Sequence, residues 1–102
     1  MSDKHYNVLL TPKARRDLES IYRYISFELS NQPAAESLAG KFEKAFDLLS
    51  EFPFRCPVCQ TEPDYRKLVV DNYIAFYKVE SGVDRVIIYR VLYGMMDYDK
   101  YL

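Results

Sequence analysis

Three runs of β-branched and aromatic residues crowd the last third of the chain, Arg66 to Leu102, and they constrain the fold more than any other feature of the sequence. Lys67 to Val70, Tyr73 to Glu80 and Arg85 to Tyr93 are separated only by Asp71-Asn72 and by Ser81-Gly82-Val83-Asp84. Runs of this composition joined by such short turn signals are expected to form an antiparallel meander. Arg85 to Tyr93 should be its central strand, covered on both faces, because its polar groups are confined to Arg85 and Arg90. Strict alternation puts Arg90 with Val86, Ile88 and Leu92, opposite Ile87, Tyr89 and Val91. An arginine there must be paired, reach solvent at a cleft, or serve a ligand. The structural reading pairs it with Asp97 or Asp71.

His5 to Leu10 reads as a further strand, and Thr11-Pro12 as a helix start, with the hydroxyl capping free amides and proline in the first turn. Ala14, Leu18, Ile21, Tyr22, Ile25 and Leu29 then recur at helical spacing, which predicts a helix running to about Ser30. After Asn31-Gln32-Pro33, a second stripe follows: Ala35, Leu38, Phe42, Ala45, Leu49 and Phe52, widened by Ala39 and Phe46. So short a connection predicts an antiparallel helical hairpin, with Ala34, Ala35, Ala39 and Gly40 allowing a close crossing. Prolines 53, 57 and 63 keep the next segment irregular. The expected fold is therefore a single α+β domain over residues 1–102, in the order β-α-α-β-β-β. An antiparallel four-stranded sheet carries the amino-terminal helical hairpin on one face.

A chain of 102 residues supports one core. No apolar stretch approaches the roughly 20 residues of a membrane span, and MSDKHYNVLL lacks the pattern of a secretory signal, so the expected compartment is the cytoplasm. Fourteen Lys and Arg against fifteen Asp and Glu leave a net charge of -1. No global attraction to nucleic acid follows from that balance, and no membrane role. Lys13, Arg15, Arg16 and Arg23 cluster in the first helix, but the spacings Lys13/Asp17, Arg15/Glu19 and Glu19/Arg23 also suit a solvated face of ion pairs.

Cys56-Pro57-Val58-Cys59 offers two thiols where a structural zinc takes four ligands, and the single histidine, His5, is remote in sequence. Neither a metal nor any other cofactor is expected. One histidine leaves no room for a histidine-based triad beyond His5 itself, and Gly40, Gly82 and Gly94 make no phosphate-cradling loop. Ten tyrosines with no tryptophan suit half-buried positions with the hydroxyl at a rim. Tyr93, Tyr98 and Tyr101 stand near the end of the chain, where binding is a fair alternative. Tyr24, Phe27, Phe54 and the Met95-Met96 pair exceed what two helical stripes and one sheet face would bury, which marks an interface.

The closing segment resembles the RelE/ParE superfamily, the toxins of bacterial type II toxin-antitoxin pairs. Arg66, the Tyr-x-x-x-Tyr of Tyr73 and Tyr77, Arg90-Val91-Leu92-Tyr93 and Met96-Asp97 carry the resemblance, and the order of elements extends it over nearly the whole chain. Message-cutting RelE-like members typically hold an arginine where this chain has Ile74, and a Lys/Arg pair where it has Met95-Met96. The chain is therefore more similar to the ParE branch. That resemblance implies a toxin inhibiting DNA gyrase without catalysis, neutralised by a cognate antitoxin and able to assemble with it into an oligomer. Arg66, Arg90, Tyr93, Met96, Asp97 and Tyr98 are then the candidate target-binding residues. The alternatives are a metal-independent, ribosome-dependent endoribonuclease whose groups have moved to Arg66, Arg90, Tyr93 and Tyr98, and a decayed toxin that binds only antitoxin.

Overall fold

In the computed structural model, residues 5–95 and 101–102 are described. The elements are β1 (Asn7–Leu10), α1 (Pro12–Arg23), a π-helical turn (Tyr24–Glu28), α2 (Gln32–Glu51), β2 (Arg66–Val70), β3 (Tyr73–Glu80) and β4 (Arg85–Tyr93). The sheet order is β1-β4-β3-β2. The β2-β3-β4 meander is antiparallel as expected, but β1 lies parallel to β4, with Asn7 opposite Arg85 and Leu10 opposite Ile88. The sheet is mixed, which corrects the antiparallel expectation. Turn chemistry fixes direction only between strands adjacent in sequence, and β1 reaches β4 after the whole helical layer.

Both helices start where their caps predict. Thr11 Oγ1 accepts the Ala14 N–H at 3.1 Å and donates to the Tyr89 carbonyl at 2.9 Å, so one hydroxyl caps α1 and pins it to β4. Asn31 Oδ1 caps α2 through the Ala34 N–H at 3.1 Å. The first helix does not run on to Ser30. After Arg23 the ladder widens, the Leu29 N–H reaching the Tyr24 carbonyl at 3.1 Å and the Asn31 N–H reaching Ile25 at 3.1 Å. Ser26 Oγ donates back to the Tyr22 carbonyl at 2.9 Å, the kind of side-chain competition that loosens a helical ladder. Ile25 stays packed on the core, while Tyr24, Phe27 and Leu29 face outward. Nothing lies within 4 Å of a Cβ built on Gly40, so the close helix crossing expected there is absent.

The main core lies between the helices and one sheet face. Ala14, Leu18, Leu38, Phe42 and Leu49 meet Leu68, Val70, Ala75, Tyr77, Val86, Ile88 and Val91. Phe42 is its hub, with ring centroids 6.4 Å from Tyr22, 5.8 Å from Phe46 and 6.3 Å from Tyr73. Phe52, expected in the α2 stripe, is exposed beyond the helix end. A smaller cluster on the opposite face gathers Cys59, Phe76 and Leu92 with Tyr65, Ile74 and Leu102.

A bulge in β4 upsets its alternation. Phe76 pairs with Arg90 while Tyr77 pairs with Ile88, leaving Tyr89 as the extra residue. Val86, Ile88 and Val91 consequently share the helix-side core, and Leu92 joins the opposite cluster. The expected grouping of Arg90 with Val86 and Ile88 is thus overturned, because a bulge inverts facing for every residue beyond it.

Candidate functional site

Arg90 sits where β1 stops covering β4. Its Nε donates to Asp17 Oδ2 at 2.8 Å and its Nη2 to Asp17 Oδ1 at 3.0 Å, a bidentate pair. Asp17 Oδ2 also accepts the Val91 N–H at 2.9 Å, supplying the acceptor that a longer β1 would have provided. The two side chains are only 18% and 16% exposed, and Asp17 holds the Arg90 guanidinium above its ordinary range. The partner expected from sequence was Asp97 or Asp71. Asp71 instead pairs with Lys41 at 3.0 Å, and Asp97 lies outside the described residues. Asp17 is likewise not left to its helical neighbour Lys13.

Arg66 is also engaged. Its Nη1 donates to the Cys56 carbonyl at 2.7 Å and, more weakly, to that of Phe54 at 3.4 Å, with the guanidinium 5.2 Å from the Phe54 ring centroid. It fastens the loop after α2 along β2, where Pro57 and Cys59 form backbone hydrogen bonds with Lys67 and Tyr65. Arg66 pairs across the ladder with Tyr77 on the helix side, whereas Arg90 pairs with Phe76 on the other. The two arginines therefore do not converge on one site. Met96, Asp97 and Tyr98 lie outside the described residues.

Tyr93, at the end of β4, belongs to a separate aromatic surface. Its ring stands edge-on to Tyr73 at 5.9 Å, and the two, with Ser20, Ile21 and Tyr24, line a cavity of about 460 Å³. An adjoining cavity of about 330 Å³ shares Ser20 and Tyr24 and adds Arg23, Phe27 and Glu28. Burial, then the nearby Tyr93 and Tyr24 hydroxyls, push the Tyr73 hydroxyl above its usual value. Phe27 is 74% exposed and Met95 81%, so this end of the molecule shows much bare apolar surface. Gly94 passes close to the β2-β3 turn, its N–H bonded to the Asn72 carbonyl at 2.8 Å, and a Cβ there would lie 3.2 Å from that oxygen. The same approach sets Met95 beside Val69, Tyr73 and Ile74.

On the face away from the helices, Thr11, Pro12, Lys13, Tyr65, Tyr89, Arg90, Tyr101 and Leu102 line a cleft of about 360 Å³. Lys78 Nζ stands 4.6 Å from the Tyr65 ring centroid and 5.2 Å from that of Tyr89. Sequence reasoning passed over this cluster. The available signal was Lys78 itself, a charge in the middle of the apolar run YIAFYKVE.

The cysteines separate. Cys56 joins the helix-side core and Cys59 the opposite cluster, and both are buried free thiols. Among the described residues no three His, Cys, Asp or Glu side chains gather as a metal site would require, and no helix is long and apolar enough to cross a membrane.

The frame is a small mixed sheet with one helix-covered face, two engaged arginines and a bare aromatic end. Residues 8–98 match the ParE toxin of the type II toxin-antitoxin system parDE, and the chain belongs to that family. Among solved structures it is similar to the chromosomal ParDE system from P. aeruginosa, at 18% identity and a TM-score of 0.73, covering 87% of this chain and 96% of that one. It is also similar to the toxin-antitoxin complex RelBE2 from Mycobacterium tuberculosis, at 23% identity and a TM-score of 0.64, covering 90% and 94%. No curated protein gives a significant sequence match.

Proposed function

We propose that this toxin acts without catalysis, by binding DNA gyrase, and that a cognate antitoxin neutralises it by covering its exposed apolar surface. The observation that carries the non-catalytic reading is the engagement of both arginines. Stabilising a phosphorane needs guanidinium or ammonium groups aimed at the developing charge. Arg90 is held by Asp17 and Arg66 by backbone carbonyls, on opposite sides of the sheet. Ile74, which stands where message-cutting relatives hold an arginine, packs against the Phe76-Leu92 cluster.

The antitoxin is supported by the neighbours, whose titles describe a ParDE system and a RelBE2 toxin-antitoxin complex. It is supported too by Tyr24, Phe27 and Tyr93, exposed around the adjoining cavities, and by the exposed Met95 in a further pocket that shares Tyr73 with the larger of them. Contiguous apolar surface of this kind marks an interface. Partner segments that fold on contact are suited to cover it.

The test compares two targets. Purified toxin added to gyrase and DNA is expected to block supercoiling or trap cleaved DNA, and added to translating ribosomes to leave message intact. Codon-specific message cleavage would overturn the reading. Co-expression with the protein of the adjacent small reading frame should give a stable heterocomplex with a raised melting temperature, and failure to form one would remove the antitoxin part.

A further inference from the structure

We propose that the cleft on the sheet face away from the helices is a docking site for an acidic peptide segment of the partner, seated on Lys78 and Lys13; the inference rests on the toxin-antitoxin reading. Lys67 lies opposite Phe76 in the ladder, and Phe76 belongs to the cluster on this face. Lys13 rims the cleft, and Lys78 stands over the rings of Tyr65 and Tyr89. Among the described residues, none of these three ammonium groups has a carboxylate within ion-pair distance. Arg90, on the same rim, is already balanced by Asp17. A chain of net charge -1 thus sets two cations at this cleft, Lys13 on its rim and Lys78 on its Tyr65 and Tyr89 walls, with Lys67 further along the same sheet face, and none of the three is paired among the described residues.

The geometry favours a carboxylate over other anions. Tyr65 and Tyr89 meet edge to face at 5.6 Å, and Lys78 stands over both ring faces. No free parallel platform is left for a base to stack on, which single-stranded nucleic acid binding requires. The rings instead fix the ammonium at low entropy and shield it from water, which strengthens a charge-assisted hydrogen bond to a carboxylate. The protein's own chain shows that the face accepts peptide. The Tyr101 carbonyl takes a hydrogen bond from Arg90 Nη1 at 3.3 Å, its ring lies 5.7 Å from the guanidinium, and Leu102 packs with Cys59, Phe76 and Leu92. An extended segment alternating acidic and aliphatic residues would place carboxylates on the lysines and aliphatic groups against Tyr65 and Leu102, the half-buried rim of this cluster that lines the cleft.

The full chain is titrated with a fluorescein-labelled peptide of alternating Glu and Leu, and separately with a single-stranded oligouridylate. The peptide should bind, lose affinity as salt rises, and bind roughly tenfold more weakly to Lys78→Ala, the loss of one charge-assisted contact. Lys13→Glu, at an exposed helix start where folding is not at stake, should weaken it as well, whereas Lys41→Ala, whose side chain pairs with Asp71, should not. No peptide binding, or equal binding by all variants, overturns the inference, and so does tighter binding of the oligouridylate. The parent reading fails separately, if the wild-type chain forms no complex with the co-expressed partner. If that complex forms and Lys78→Glu leaves its affinity and salt dependence unchanged, the inference alone is refuted.

Discussion

Removing Asp17 should destabilise this protein more than removing any other surface-proximal charge. Asp17→Ala deletes the acceptor of three hydrogen bonds, two from Arg90 and one from the Val91 N–H. It leaves a guanidinium and an amide unpaired in a largely covered position. Breaking a buried ion pair by removing one partner costs about 3–5 kcal/mol. With the two side chains 18% and 16% exposed, solvent screening reduces the expected figure, to about 2–4 kcal/mol. That is a large share of the roughly 5–15 kcal/mol by which a domain is folded.

Arg90→Ala leaves the Val91 bond in place and should cost about 1 kcal/mol less, the value of one such hydrogen bond. Urea titrations check both numbers: with a slope of about 1–3 kcal/mol/M, the Asp17→Ala midpoint falls by roughly 0.7–4 M at constant slope. Amide exchange at Val91 should accelerate more in Asp17→Ala, which removes its acceptor, than the loss of stability alone accounts for, and in Arg90→Ala only by as much as stability falls. The double variant should show a coupling of at least about 1 kcal/mol. A cost below about 1 kcal/mol for Asp17→Ala, or a coupling near zero, would mean the pair behaves like an exposed one and that Arg90 is free to meet a target. If the pair is structural, Arg90→Ala lowers thermal stability and antitoxin binding together.

Three further outcomes follow from buried groups. Tyr77 is 0% exposed and its hydroxyl donates to the Pro53 carbonyl at 2.9 Å, so Tyr77→Phe should cost about 1–2 kcal/mol by chemical denaturation. Burial, then the neighbouring Cys56, hold the Tyr77 hydroxyl above its unfolded value near 10, and burial raises Tyr22 as well. Above that pH the unfolded chain loses protons that the folded chain keeps, so stability declines as pH rises further, by up to about 1.4 kcal/mol per pH unit from Tyr77 alone. A flat urea midpoint above pH 10 would contradict this, as would a Tyr77→Phe protein with the same alkaline slope. The two cysteines should resist alkylation in the native state, form no mutual disulfide, and tolerate joint replacement by Ala with growth inhibition and secondary structure retained; one equivalent of zinc in purified protein would refute that expectation.

Local chemistry made much of this fold readable. Tyr73–Glu80 and Arg85–Tyr93 coincide with the expected strands, and β2 gains only Arg66. Their β-branched composition and short turns act within a few residues, and the same holds for the caps at Thr11 and Asn31. What could not be read depends on distant contacts. The direction of β1 is decided by packing, and Asp17 meets Arg90 across a separation of 73 residues. The bulge at Tyr89 carries neither glycine nor proline to announce it, so alternation counted through it assigns Arg90 to the wrong companions. Of the residues expected to stay exposed, Phe27, Tyr24, Phe54 and Met95 do, because the amphipathic stripes bury a countable set and these lie outside it, while Met96 lies outside the described residues.

Net charge misled in a different way, because it averages over surfaces that a partner meets one at a time. A total of -1 argues against long-range attraction to nucleic acid, since the far field follows the sum. At contact distance the relevant quantity is the charge left over on each face once internal pairs are subtracted, because salt screens anything beyond about 8–10 Å. Asp17 cancels Arg90, Asp71 cancels Lys41 and Glu80 cancels Arg85, so those cations contribute little to any encounter. Lys13, Lys67 and Lys78 are not cancelled among the described residues; the sheet puts Lys67 and Lys78 on one face, and Lys13, at the start of α1, rims the cleft there. The toxin's two open regions therefore differ in kind: an apolar, aromatic end around Tyr24, Phe27 and Met95, and a cationic cleft around Lys78. A single partner covering both would need an apolar helix or strand joined to an acidic stretch, and salt should weaken only the second half of that grip.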